Sequence, residues 1–339
     1  MRAVVYSQTG GPEVLRLVER QIPEPGPGEV RVAVRVSGVN PTDWKSRRGG
    51  RGGGLPFPEV VPNQDGAGTI DAVGDGVGPS RVGERVWLWE SAWQRADGTA
   101  QEYVVLPEHQ AVPLADGVSF DIGASLGIPA LTAHRCFTVS EQGPRHLVPG
   151  GLAERTVLVA GGAGAVGHAA IQLANWAGAR VIATVSSDEK AKLAQAAGAD
   201  HVVNYRSGDA VDEIRGVSPD GVDVVVEVAP AANAALDLAV LAPNGTVAVY
   251  ATDGGGELDL PVWELMRRNL RYQFVLVYTV PDAAKNQAVA DVAAAAADGA
   301  LPVGQDAGLL LHRFPLERTA DAHAAVEGGA VGKVLVDVG

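Results

Sequence analysis

The stretch Thr156-Val-Leu-Val-Ala-Gly-Gly-Ala-Gly-Ala-Val-Gly167 decides the reading of this chain. Thr156 to Ala160 is a short apolar run of β-type residues, the pattern of a buried strand. It leads directly into Gly162-x-Gly164-x-x-Gly167. Beyond the first glycines, Val166, Ala170, Leu173 and Ala174 fall on one face of a helix. Strand, glycine turn and helix, in that order, form the first turn of a dinucleotide-binding unit. In such a turn Gly162 permits the tight bend, Gly164 lets the backbone approach a pyrophosphate, and Gly167 lets the helix pack close to the sheet. The free N–H groups at the helix start then face the phosphates. Three glycines at this spacing say little in a chain that has 43. The flanking strand and helix give them meaning.

Outward from this turn, strands and helices alternate. Strands are expected at 181–185, 201–204, 223–228, 246–250 and 271–280, with helices at 188–197 and 290–297. That alternation predicts a parallel sheet covered by helices on both faces. Residues 1–125 read differently. Val30, Val32, Val34 and Val36 alternate with mostly polar neighbours, as in a half-buried strand. Further short strands are expected at 2–6, 68–73, 85–89 and 101–106, separated by Gly and Pro turns, which points to a small barrel-like domain. Residues 47–54, rich in Arg and Gly, read as a mobile, solvated loop whose arginines could meet an anionic ligand. One or two helices are expected over 122–138, then a connector over 139–155. A helix at 316–326 and a strand at 333–338 are expected to return to the first domain. The fold class is therefore α/β, with a β-rich domain (1–124 and 301–339) and a doubly wound nucleotide-binding domain (125–300).

The 339 residues are 46% hydrophobic and 20% charged, a globular composition. A net charge of −13 opposes binding to nucleic acid or to anionic membranes. No run approaches the roughly 18 apolar residues of a membrane span. The N-terminus lacks an apolar signal core, and Cys136 is the only cysteine. Together these predict a protein of the cytoplasm.

The second strand of the nucleotide-binding domain ends Val185-Ser186-Ser187, with no carboxylate for a ribose 2′-hydroxyl. Small hydroxyl side chains leave room for a 2′-phosphate, and Lys190 follows one helical turn on. Asp188 or Glu189 could instead be the ribose acid. Ser186-x-x-Glu189 also fits a capping box, and this reading favours NADP over NAD.

With these residues in place the chain resembles the quinone oxidoreductases of the zeta-crystallin type, in the medium-chain dehydrogenase/reductase superfamily. The resemblance runs through Ser37-Gly-Val-Asn-Pro41, Asn63-Gln-Asp-Gly-Ala-Gly68, Gly83-Glu-Arg-Val-Trp87, Gly98-Thr-Ala-Gln-Glu-Tyr103, Gly127-Ile-Pro-Ala-Leu-Thr-Ala133 and Gly332-Lys-Val-Leu335. It implies a GroES-like catalytic domain, a Rossmann domain and NADPH in the cleft. It further implies that Ser186, Lys190 and Tyr205 surround the 2′-phosphate. Gly162, Ala163, Gly164, Ala165 and Val166 match the pyrophosphate turn, and Thr132 a cofactor contact. Tyr250, Ala251, Thr252 and Asp253, with Val275, Leu276 and Val277, match segments near the nicotinamide half. Asn40 and Lys45 match catalytic-side positions beside the nicotinamide, although the family often has Tyr at the second. Asn40 could equally serve the turn before Pro41, and Trp44 could be core packing. The resemblance also implies a homodimer paired through the edge strand at 271–280.

A catalytic zinc needs Cys or His ligands in the loops at Gly38 to Thr42 and Pro62 to Gly66, and neither loop has one. The seven histidines are scattered without ligand spacing, so surface or packing roles are expected for them. The function expected is a zinc-independent transfer of hydride from NADPH to a quinone, with an alkenal or enone as the alternative acceptor. A structural or regulatory protein that only holds NADPH is the non-enzymatic alternative.

Overall fold

The computed structural model describes residues 1–50 and 53–339. They form two compact units, one of Met1–Ile128 with Leu310–Gly339 and one of Pro129–Leu309. Along the chain come β1 (Arg2–Val5), β2 (Arg16–Glu19), β3 (Glu29–Val39), α1 (Pro41–Arg47), β4 (Asp65–Val73), β5 (Arg85–Leu88), β6 (Tyr103–Pro107) and β7 (Ala111–Pro113). The helix α2 (Phe120–Thr138) contains the boundary between units. The second unit holds β8 (Thr156–Ala160), α3 (Ala165–Trp176), β9 (Arg180–Val185), α4 (Asp188–Ala196), β10 (His201–Asn204), α5 (Ala210–Val217), β11 (Val222–Glu227), α6 (Pro230–Val240), β12 (Leu241–Val249), α7 (Val262–Arg268), β13 (Arg271–Phe274) and α8 (Asp282–Ala297). The tail adds β14 (Leu311–Pro315), α9 (Thr319–Glu327) and β15 (Lys333–Asp337) to the first unit.

The first unit is built on β3. Its seven-stranded sheet runs β14-β15-β3-β4-β5-β7, and β6 pairs with the start of β3. All pairs are antiparallel except β14 with β15. One end of β3 thus pairs with β6 and the other with β15, so a single strand organises both ends of the unit. Two register shifts between β3 and β4 bend the sheet. The alternating valines Val30, Val32 and Val34 point into a core with Ile70, Val86 and Leu106.

In the second unit six parallel strands are ordered β10-β9-β8-β11-β12-β13. Both faces are covered by helices, so the central strands β8 and β9 are near-continuous buried runs rather than alternating. The order reverses between β8 and β11. Crevices outside the carboxyl ends of strands at such a reversal are where dinucleotides bind.

Several expectations need correction. The sixth strand of this sheet ends at Phe274, not 280. Val275 N–H still reaches Val249 O at 2.7 Å, but beyond it Thr279 and Val280 donate to Leu276 and Val277 in a 3₁₀ turn. The helix expected over 316–326 is a 3₁₀ turn (Leu316–Arg318) followed by α9. Residues 51 and 52 of the expected Arg–Gly loop lie outside the described residues. Arg47 is no loop residue: it ends α1, is fully buried, and its Nη2 meets Glu327 Oε2 at 2.5 Å. Three histidines are interior, and His134 Nε2 meets Asp291 Oδ2 at 2.8 Å. His168 donates to Ala307 O and His323 to Asn63 Oδ1. Burial pushes His168 down to about 4 and His323 to about 3, so both stay neutral donors. Among the described residues no helix is long and apolar enough to cross a membrane.

Candidate functional site

The glycine turn sits at the carboxyl end of β8, in the middle of the parallel sheet. Its tight bend belongs to Gly161, whose φ is +70°, rather than to Gly162. That region of backbone space strains any residue with a Cβ. The N–H groups of Gly161 and Gly162 both donate to Thr184 O, which fastens the turn to β9. A Cβ on Gly167 would lie 2.4 Å from Gly161 O, so the helix can begin this close only with glycine there. A Cβ on Gly164 would have no neighbour nearer than 3.5 Å, which leaves the outer side of the turn open to a ligand.

The first helical bond of α3 runs from His168 N–H to Gly164 O. The N–H groups of Ala165, Val166 and Gly167 come before it, no side chain caps them, and no acid stands in the first turn. This is a fitted seat for a diphosphate, with several donors and the positive end of the helix dipole. Ala163 is buried beneath the turn.

At the end of β9, Lys190 Nζ donates to Ser186 Oγ at 3.0 Å, both half-buried. The helix cap is Ser187, one residue later than the capping-box reading placed it. Its Oγ accepts from Lys190 N–H. The N–H of Glu189 itself and then the Ser187 hydroxyl hold the Glu189 carboxyl below its usual range. Asp188 is taken by Asn204 Nδ2 at 3.0 Å. Both acids are thus occupied at the helix start. Ser186 and Lys190 are left as a hydroxyl and an ammonium of the kind a phosphate monoester requires.

Tyr205 is half exposed just past β10 and lines a cavity of about 220 Å³. The cavity lies between the carboxyl ends of β8, β9 and β11 and the helices α5 and α6. Apolar walls come from Leu158, Ala160, Ala210 and Leu236, and polar groups from Thr184, Glu227, Asn233 and Asp237. Glu227 accepts from Ala229 N–H and from Asn233 Nδ2. Asp237 is fully buried and neither of its oxygens meets an N–H or O–H donor. Burial and the neighbouring Glu227 push Asp237 up to about 9. Glu227 is raised by burial too, but its N–H donors oppose that rise. The pair therefore holds one proton, on Asp237, and one charge, on Glu227.

The remaining expected cofactor residues lie in this unit. Thr132 is buried in α2. Tyr250 N–H donates to Glu227 O and Asp253 N–H to Val228 O, so the segment Tyr250-Ala251-Thr252-Asp253 is fastened to the end of β11. Val275 and Val277 are buried and Leu276 between them is exposed.

Asn40 and Lys45 belong to the first unit and differ in character. Lys45 is exposed, its Nζ 5.7 Å from the centre of the Trp44 ring. Asn40 is buried and both polar atoms of its side chain are hydrogen-bonded. Its Oδ1 accepts from Lys333 Nζ at 2.8 Å and its Nδ2 donates to Asp65 Oδ2 at 2.7 Å. Lys333 Nζ also meets Asp65 Oδ2 at 3.1 Å, and Ile128 N–H donates to Asp65 Oδ1. Asp43 Oδ2 accepts from Asn40 N–H, which starts α1. Burial pushes Asp43 up to about 8. Sequence reasoning missed Asp65, Lys333, Glu227 and Asp237. The available signal was a charged residue standing inside an apolar strand pattern, as in Lys333-Val-Leu-Val.

Two family models match the chain: the alcohol dehydrogenase GroES-like domain over residues 26–116 and the zinc-binding dehydrogenase over residues 165–294. Human quinone oxidoreductase is 30% identical over 342 residues, spanning 99% of this chain and 97% of its own. The chain belongs to the quinone oxidoreductase family, within the medium-chain dehydrogenases/reductases. Among solved structures, an NAD-dependent alcohol dehydrogenase is 31% identical with a TM-score of 0.86, covering 100% of both chains. A mycobacterial protein complexed with NADPH is 29% identical with a TM-score of 0.80, covering 99% of both.

One matched model carries zinc in its description, and the residues of this chain do not fit a zinc site. Among the described residues no three His, Cys, Asp or Glu side chains converge on a point that could hold a metal. Asp65 is filled by its own donors. Cys136 is fully buried, with its thiol pushed up to about 12.

The Asn40–Asp65–Lys333 cluster generates a direct prediction. Lys333→Met leaves Asp65 charged and buried without its cation. It should destabilise the protein by about 3–5 kcal/mol in urea unfolding. Asp65→Asn added to it should recover part of that loss. A cost below about 1 kcal/mol for Lys333→Met would contradict the role given to the ion pair.

Proposed function

We propose that the protein is an NADPH-dependent quinone oxidoreductase that works without zinc. The observation that carries this reading is the pairing of Ser186 with Lys190 at a strand end that has no carboxylate, beside an uncapped helix start. The family membership supplies the acceptor class. When bound, NADPH supplies the hydride.

The chain supplies position and charge. The N–H groups of Ala165, Val166 and Gly167 hold the diphosphate, and Gly162 and Gly164 give it room. Ser186, Lys190 and Tyr205 hold the 2′-phosphate. Thr132, the Tyr250 to Asp253 segment, Val275, Leu276 and Val277 border the nicotinamide half. We assign Lys45 to the acceptor side, where it offsets negative charge as the acceptor's oxygens are reduced. Asn40 acts by fixing the start of α1, since both polar atoms of its side chain are already bonded to Asp65 and Lys333. Water provides the proton. A reducing compartment such as the cytoplasm suits the single buried thiol.

NADPH consumption measured with 1,4-benzoquinone and with a simple enone tests the acceptor. The quinone should be turned over and the enone hardly at all, and Lys45→Ala should raise the quinone KM a few-fold. Turnover of the enone alone would make the protein an enone reductase. Binding of NADPH with turnover of neither would make it a binding protein.

We also infer a homodimer. Among the described residues β13 pairs only with β12, which leaves its other edge open. Phe274 on that strand, with Leu276 just beyond it and Trp263 and Met266 on α7, is a large exposed apolar side chain. Open, apolar strand edges are commonly paired, and a two-fold axis places the same strand of a second copy antiparallel to it. Sedimentation at micromolar concentration should give twice the chain mass, and Phe274→Lys should shift it toward the monomer. A wild-type monomer would refute the pairing.

A further inference from the structure

We propose that Glu227 and Asp237 read the amino group of the cofactor's adenine ring, and so select a 6-aminopurine over a 6-oxopurine. This rests on the NADPH reading above and adds to it a specificity determinant.

The placement comes from Tyr205, which lines the 220 Å³ cavity and whose N–H donates to the carbonyl of Val185, the residue before Ser186. In NADPH the 2′-phosphate and the purine are carried by the same ribose. A phosphate held by Ser186 and Lys190 therefore puts the purine within reach of this cavity. Leu158, Ala160 and Leu236 give apolar walls, and Glu227 and Asp237 give a polar end.

The chemistry of that end follows from the hydrogen bonds. Glu227 already accepts from Ala229 N–H and from Asn233, so it stays ionised. Asp237 has no such donor and carries the proton, which it gives to Glu227. The other Asp237 oxygen is then a carbonyl acceptor, fully buried, with no partner in the protein. An acceptor left in this state carries an uncompensated desolvation cost, and an N–H donor on a ligand recovers it. A cation is a poor match. The pair has one charge, that charge is already satisfied, and among the described residues no metal-holding cluster exists. A neutral amino group matches. The carbonyl of a 6-oxopurine would face the Asp237 carbonyl, acceptor against acceptor. Tyr272, whose hydroxyl is also buried without a partner, and Tyr250 are the other titratable groups that the pair acts on, Tyr250 through Glu227 alone. No Lys or Arg lines the cavity.

Equilibrium binding decides the matter. The dissociation constants of NADPH and of reduced nicotinamide hypoxanthine dinucleotide phosphate are measured on the full chain by nicotinamide fluorescence, with no acceptor present. The hypoxanthine form should bind at least about tenfold more weakly. Asp237→Asn should keep that preference, because its amide N–H replaces the shared proton and its carbonyl stays in place. Asp237→Leu should reduce the preference to about twofold or less. Equal affinity of the wild-type protein for both dinucleotides overturns the proposal while leaving the NADPH reading intact. Retention of the full preference in Asp237→Leu also overturns it. Failure to bind either dinucleotide overturns the NADPH reading and this proposal with it.

Discussion

Three backbone N–H groups, those of Ala165, Val166 and Gly167, open α3 with no carbonyl, cap or acid to receive them. A helix start in this state is satisfied by water or by an anion, and the dipole of the following turns favours the anion. What surrounds it keeps it accessible. Gly161 takes a backbone conformation that other residues resist, Gly167 permits a helix too close for a Cβ, and Gly164 leaves the approach clear. Its position at the reversal of strand order puts the diphosphate where the ends of β9 and β11 can reach the two sides of a dinucleotide. The Ser186–Lys190 pair and the cavity above α6 gain their meaning from that placement.

Each unit also buries charge, and the two do so differently. In the first, Asp65 is neutralised by Lys333 and bonded by Asn40 and Ile128 N–H. A buried ion pair pays for desolvation only when its remaining lone pairs are satisfied, and here they are. The cluster joins the end of β3, the start of β4 and the start of β15, so the C-terminal tail is tied to the loop that leads into α1. In the second unit Glu227 and Asp237 have no cation, and a shared proton takes its place. The first arrangement leaves no acceptor free. The second leaves one, at the end of a cavity.

Much of this architecture was legible in the sequence because it is local. Apolar runs such as Val157 to Ala160 mark strands buried on both faces. The glycine spacing marks the turn, and the missing acid after Val185 marks the phosphate side. What escaped depends on contacts far along the chain. Arg47 looks like a loop arginine until Glu327, 280 residues on, takes it into the interior. Lys333 and Asp65 are 268 residues apart, and neither alone announces the other. The single-residue errors, Gly161 for Gly162 and Ser187 for Ser186, arise where adjacent residues of one type offer the same chemistry and only the backbone path chooses between them. β13 stops early because the apolar residues after Phe274 enter a 3₁₀ turn, which hydropathy does not distinguish from a strand.

The central claim is that the chain seats a dinucleotide bearing a 2′-phosphate. The most direct test is the equilibrium affinity of the wild-type protein for NADPH and for NADH at low ionic strength, repeated with Lys190→Met. NADPH should bind about tenfold or more tightly than NADH, the gain expected from charge-assisted bonds to a phosphate, and Lys190→Met should remove most of the difference. Equal affinity for the two, or a preference untouched by Lys190→Met, would contradict the account.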